Sequence, residues 1–127
     1  RTYLGLSSEG FANRLMLTGP GSPSVLASMI QAIEQHVDWM ADCMGHMRDI
    51  SAQTIERLVE YEDNWVDHVN EVSKVSLRST CSSWYVGANI PGKPRQFVGH
   101  LRGSQYFERL AEVAEAGYEG FAFEAVR

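Results

Sequence analysis

Cysteine is scarce in this chain. Cys43 and Cys81 are the two thiols in 127 residues, far apart in sequence. They support reduced thiols in a cytoplasmic protein rather than a disulfide framework. The four histidines, His36, His46, His68 and His100, show no paired metal-ligand spacing, so no metal is expected. There is no dense basic stripe, and the formal net charge is −5 with a pI near 5.3. That excludes the cationic footprint of a nucleic-acid binder. No apolar run approaches the ~20 residues of a membrane-spanning helix. No serine sits in a G-x-S-x-G setting, no G-x-G-x-x-G occurs, and there is no internal repeat. The chain opens on Arg1 rather than methionine, from which we expect a segment cut from a longer polypeptide.

What is present is average globular material, with 44% apolar and 21% charged residues, enough for one domain-sized unit. Residues 1–13 read as irregular, with Tyr3, Leu4, Leu6 and Phe11 as buried anchors. Leu15–Thr18 reads as a short buried strand that ends at Gly19-Pro20-Gly21-Ser22-Pro23, where neither strand nor helix can run on. Ser22 as N-cap and Pro23 as first residue predict a helix over Pro23–Met47. Leu26, Met29, Ile30, Ile33, Val37, Met40, Met44 and Met47 form one apolar stripe on it. A turn at Ser51–Gln53 precedes a helix over Leu58–Leu77. Its packing face is Leu58, Tyr61, Trp65, Val69 and Val72. Its solvated face is Glu60, Glu62, Asp63, Asp67 and Glu71. Gln96–Gly99 reads as a short strand. A third helix, Gln105–Ala116, is capped by Ser104 and stopped by Gly117 in the left-handed position. Phe121–Phe123 reads as a last strand. Strands this short and scattered look like edges that need partners from elsewhere.

Two features carry chemistry. A strand, a glycine turn and a helix N-terminus together offer N–H groups and a dipole to an electron-rich group; the bland alternative is a tight connection. The segment Ser82–Arg95 packs two glycines, two prolines, Trp84, Tyr85, Lys93 and Arg95 into fourteen residues without helical or strand period. A loop of that length is a lid or a linker. Its two aromatic side chains, unfavourable when left wet, favour the lid. His36 and His68 read as packing beside the apolar stripes, and the methionine stripe reads as core.

Gly10-Phe11-Ala12-Asn13, Met16-Leu17-Thr18-Gly19-Pro20-Gly21-Ser22-Pro23-Ser24, Ile33-Glu34-Gln35-His36-Val37-Asp38-Trp39, Trp65–Val72, the loop, and Gly117-Tyr118-Glu119-Gly120-Phe121 together resemble the C-terminal part of Baeyer–Villiger monooxygenases. Ala12, Arg14 and Arg102 depart from that family's pattern. The resemblance implies an α/β parent with two dinucleotide domains, of which this is a mostly helical piece whose few short strands need the rest of the enzyme. It implies FAD and NADPH as cofactors, a ketone and O₂ as substrates, and the N-terminal part of the same enzyme as partner. Residues 1–47 would complete the FAD domain. Residues 48–127 would form a helical layer, a control loop at 82–95 and a closing helix and strand. By the same resemblance Thr18, Gly19, Pro20, Gly21 and Ser22 meet the flavin. Ser24, Val25, Leu26, Ala27 and Met29 line the substrate pocket, and Trp84 and Asn89 belong to the loop that folds over NADP. Both nucleotide fingerprints, the active-site arginine and the flavin-side aspartate are missing, so no residue here is assigned a catalytic role. A different class of reading remains beside it: a small helical module for protein interaction or self-association.

Overall fold

Ser28, not Ser22, opens the first helix. The structure, a computed structural model, describes residues 1–23, 27–76 and 82–125. Helix α1 spans Met29–Asp49, and the Ser28 hydroxyl accepts the Gln31 N–H. The start at Pro23 is thus corrected. Ser22 is buried and donates its hydroxyl to the Gly19 carbonyl at 2.7 Å, so that hydroxyl closes the preceding turn instead of capping a helix. Pro23 forms an isolated parallel bridge with His100.

Helix α1 keeps only part of the expected apolar stripe, with Met40 and Met47 half-buried against the core. The residues it buries are Ala32, His36, Trp39 and Cys43. Met29, Ile30, Ile33, Val37 and Met44 are exposed, Ile30 at 72%. At about 100° per residue these two sets occupy adjoining faces. The helix is therefore apolar over nearly half its circumference, and only one part of that arc faces the core described here.

The rest of the chain packs on that buried part. Strand β1 (Thr54–Arg57) leads into helix α2 (Val59–Ser73). Helix α3 (Gly103–Glu115) leads into strand β2 (Phe121–Glu124). Trp39 Nε1–H donates to the Leu110 carbonyl at 3.1 Å, and Gln35 Nε2 donates to that of Phe107 at 3.1 Å, stitching α1 to α3. The expected serine cap of α3 is absent: Arg102 occupies the cap position and makes no side-chain cap bond. Gly117, with φ at 78°, ends the helix as expected, and Tyr118 N–H returns to the Val113 carbonyl.

The strands pair with each other. β1 and β2 are antiparallel, in the register Thr54↔Glu124, Ile55↔Phe123, Glu56↔Ala122 and Arg57↔Phe121. β1 was not anticipated: one inward apolar residue, Ile55, alternates with an inward arginine, and that hides the period. Leu15–Thr18 and Gln96–Gly99 are extended or bent segments without strand pairing, and Leu17 is exposed. Tyr3, Leu4 and Leu6 are core residues, whereas Phe11 is exposed beneath the Arg14 guanidinium.

Glu62, assigned to the solvated side of α2, is only 3% exposed, as is Arg57. Arg57 Nε lies 2.6 Å from Glu62 Oε2, a close charge contact in which the N–H is poorly aligned for hydrogen bonding. Glu9 N–H also donates to Glu62, and Arg1 approaches it at 3.9 Å. A buried charge left without its partner is strongly unfavourable, while replacing both partners by apolar groups is much less so. Arg57→Met is therefore expected to cost about 3 kcal/mol or more in denaturant unfolding. The double variant Arg57→Met/Glu62→Leu should cost clearly less than the two single changes summed. Additive losses would contradict the pairing.

Candidate functional site

The turn that follows Leu17 is fixed from behind at every amide it possesses. Thr18 sits in the left-handed region with φ at 50°, and its N–H donates to His36 Nδ1 at 3.1 Å. Gly19 N–H donates to the Gly5 carbonyl, Gly21 N–H to that of Val98, and Ser22 N–H to that of Gly19. The Ser22 carbonyl accepts the His100 N–H at 2.9 Å. Gly21 has φ at 90°, and a Cβ there would lie 2.8 Å from Trp65 Nε1, so this position requires glycine. With these amides engaged and α1 beginning only at Met29, the turn is no anion cradle. What it presents outward is the surface of Thr18, Gly19 and Pro20.

That surface is one wall of a cleft of about 370 Å³ lined by Thr18, Gly19, Pro20, Ser22, Pro23, Met29, Trp84, Tyr85 and Val98. The loop residues arrive through a short 3-10 turn, Trp84–Val86, capped by the Ser83 hydroxyl and ended by Gly87 at φ 71°. The loop stem is anchored by the buried side chains of Val86 and Phe97, with Gln96 N–H on the Val86 carbonyl and Val98 N–H on that of Tyr85. Trp84 is 64% exposed, its ring 4.3 Å from that of Tyr85.

The cleft thus gathers Thr18, Gly19, Pro20, Ser22, Met29 and Trp84 from the residues singled out in the sequence. It does not gather the others. Gly21 faces inward to Trp65. Asn89 lies exposed beyond the 3-10 turn, and Ala27 packs near Gly103 at the start of α3. Ser24, Val25 and Leu26 lie outside the described residues. Pro23, Tyr85 and Val98 were missed as lining residues, and so were His36 and His100 as supports. Adjacency to Trp84 was the one available signal, for Tyr85. A larger cleft of about 460 Å³ lies elsewhere, lined by residues including Tyr61, His68, Gln105 and Arg109; none of the anticipated site residues reaches it.

The donor set limits what the 370 Å³ cleft can hold. Its glycine–proline wall has no spare amide for a phosphate, while Pro20, Pro23, Met29, Val98 and the indole of Trp84 give flat apolar contact. That fits the face of a planar ring. Among the described residues no group of three His, Cys, Asp or Glu side chains is arranged to hold a metal ion, and no helix is long and apolar enough to cross a membrane.

Two buried histidines sit behind the cleft. Burial lowers the pKa of His36 to about 4. Burial, then the neighbouring His68, lowers that of His100 to about 4. His68 Nε2 lies 3.0 Å from His100 Nε2. Both folded pKa values lie below the unfolded value of 6.5, so the unfolded chain binds more protons between the two. Stability therefore falls as pH drops from about 6.5 towards 4, by up to about 3 kcal/mol for each histidine. In an NMR titration the ring signals of His36 and His100 are expected to stay fixed down to about pH 5; movement near pH 6.5 would contradict their burial as neutral rings.

No family model matches the chain. Full-length relatives do. It is 38% identical over 124 residues to acetone monooxygenase (methyl acetate-forming) of Gordonia sp. (strain TY-5), covering 96% of this chain and 23% of that protein. It is 33% identical over 123 residues to cyclopentanone 1,2-monooxygenase of Comamonas sp. (strain NCIMB 9872), covering 96% and 22%. Among solved structures, oxidized steroid monooxygenase bound to NADP superposes with a TM-score of 0.89 at 45% identity, over 99% of this chain and 23% of that one. Closed cyclohexanone monooxygenase gives 0.88 at 34%, over 98% and 23%. The fold is therefore that of one portion of a two-domain flavoprotein monooxygenase. Over about 96% of its length the chain is homologous to Baeyer–Villiger monooxygenases, and it spans less than a quarter of the curated relatives it matches.

Proposed function

We propose that this chain is part of an FAD- and NADPH-dependent monooxygenase that inserts one oxygen atom of O₂ beside a ketone carbonyl. The overall reaction converts ketone, O₂, NADPH and a proton into an ester or lactone, NADP⁺ and water. The observation that carries the reading is the convergence of Thr18, Gly19, Pro20, Ser22, Met29 and Trp84 on one apolar cleft. The flavin supplies the redox chemistry when bound. The residues of this chain supply a wall and a cover.

In this reading the turn from Thr18 to Ser22 gives the ring system a flat, dry contact, and Met29 borders the substrate side. Trp84 closes the cleft from the loop at 82–95 and brings one N–H donor for the nicotinamide cofactor. Excluding water protects the oxygen transfer from loss as hydrogen peroxide. Gly87 and Gly92, both at positive φ, serve as hinges of the loop. The exposed arc of α1, from Met29 to Met44, supports a macromolecular partner as well: the remainder of the same polypeptide covers it. A cytoplasmic location goes with this reading. The alternative of a free-standing helical module draws no support from relatives that are all far longer enzymes.

The test is the full-length protein that contains this chain. It should purify yellow and oxidise NADPH faster when a ketone is added, with ester or lactone formed in proportion. A colourless protein lacking ketone-dependent NADPH oxidation overturns the reading. Trp84→Ala should raise the KM for NADPH about tenfold, some 1.4 kcal/mol, and divert a larger share of NADPH to hydrogen peroxide. Unchanged KM and unchanged peroxide yield would remove Trp84 from the cofactor's cover.

A further inference from the structure

Thr18 and Leu4 are both non-glycine residues in the left-handed region, at φ 50° and 56°. For a β-branched threonine that backbone is strained and persists only where its surroundings hold it. One buried chain of hydrogen bonds ends on both residues. Thr18 N–H donates to His36 Nδ1, which leaves the ring proton on Nε2. That proton faces the Tyr106 hydroxyl oxygen, and the Tyr106 O–H donates to the Leu4 carbonyl at 2.7 Å. Each donor has its acceptor, so tautomer and ring orientation are both set. The circuit is closed on the backbone: Gly5, next to Leu4, accepts the N–H of Gly19, next to Thr18, at 3.0 Å. His36 and Tyr106 are fully buried and neither reaches the cleft.

We propose that His36 is a positioning residue for the cleft, holding Thr18 in its left-handed conformation so that the turn from Thr18 to Ser22 presents a preformed wall to the flavin ring. This rests on the flavin assignment made above. Tyr106 fixes the ring, and His36 transmits that order to the turn. Without the acceptor at Nδ1 the half-buried Thr18 amide loses its partner and its backbone is free to relax away from the strained region. The wall then has to be ordered when the ligand arrives, and affinity falls.

The two nitrogens can be separated by substitution. His36→Asn places its side-chain oxygen near the Nδ1 position and keeps an acceptor for Thr18. His36→Gln reaches the Nε2 position, keeps a partner for Tyr106 and withdraws the acceptor from Thr18. The readout is the dissociation constant of FAD for the full-length apoprotein, followed by flavin fluorescence, which needs no turnover. His36→Gln is expected to weaken FAD about tenfold and His36→Asn about threefold or less. In a Thr18→Gly background, where glycine takes φ > 0 without strain, the effect of His36→Gln should shrink to about threefold or less. Equal losses in the two histidine variants, or a His36→Gln effect unchanged by Thr18→Gly, overturn the proposal. If His36→Gln does not fold, Tyr106→Phe takes its place in the same cycle with the same expectation. A full-length wild-type protein that takes up no FAD sinks the flavin assignment itself. Wild type that binds FAD beside a His36→Gln variant that binds it equally sinks only the role of His36.

Discussion

The hydroxyl of Tyr106 is where three parts of this chain meet. It comes from α3, faces His36 on α1 and donates to the Leu4 carbonyl in the N-terminal segment. The ring lies wholly inside the core, with the rings of His36, Trp65, His100 and Phe107 around it. Hydroxyl and imidazole both lose water on burial, so the arrangement is stable only if each finds its partner. They do, and the consequence spreads outward. Leu4 and Thr18 are pinned, Gly5 and Gly19 can pair, and Ser22 is left free to close the turn. The turn that walls the cleft is thus tied to two side chains, His36 and Tyr106, that do not themselves line it.

The helices were legible in the sequence as elements, because three- and four-residue spacing of apolar residues survives any context. Their working faces were not. On α1 the methionine and isoleucine spacing pointed to one arc, whereas the core buries Ala32, His36, Trp39 and Cys43 and takes from that arc only the half-buried Met40 and Met47. A periodic stripe shows that something apolar lies opposite; it does not show whether that something belongs to the same stretch of chain. The cap at Ser22 failed for a local reason, since its hydroxyl bonds Gly19 and the helix waits for Ser28. β1 was invisible because Arg57 occupies an inward position that the Glu62 and Glu9 carboxylates make tolerable.

The site was legible mainly through resemblance. Physical reading alone singled out the Gly-Pro-Gly turn and the Trp-Tyr loop as separate features. The structure places Thr18, Gly19, Pro20, Ser22 and Trp84 around one cleft, a proximity that nothing in their spacing reveals. Of the two readings of the turn, free amides or a tight connection, the structure has the second, with the amides of Thr18, Gly19, Gly21 and Ser22 each bonded within the protein. The two histidines that brace the cleft carried no local pattern. Their roles follow from contacts over tens of residues, such as His36 with Tyr106, seventy positions apart.

One further consequence concerns how such a chain is made. Tyr3 packs against Phe121 and donates its hydroxyl to the Glu119 carbonyl, a separation of 116 residues. Contacts between distant positions delay folding. On a ribosome adding roughly 5–20 residues per second, Tyr3 waits on the order of ten seconds for those partners to emerge. During that interval its neighbours Leu4 and Leu6 lack their final shelter and are open to chaperones and proteases. Synthesis that stops short of Phe121 would release a product in which Tyr3 never finds its place.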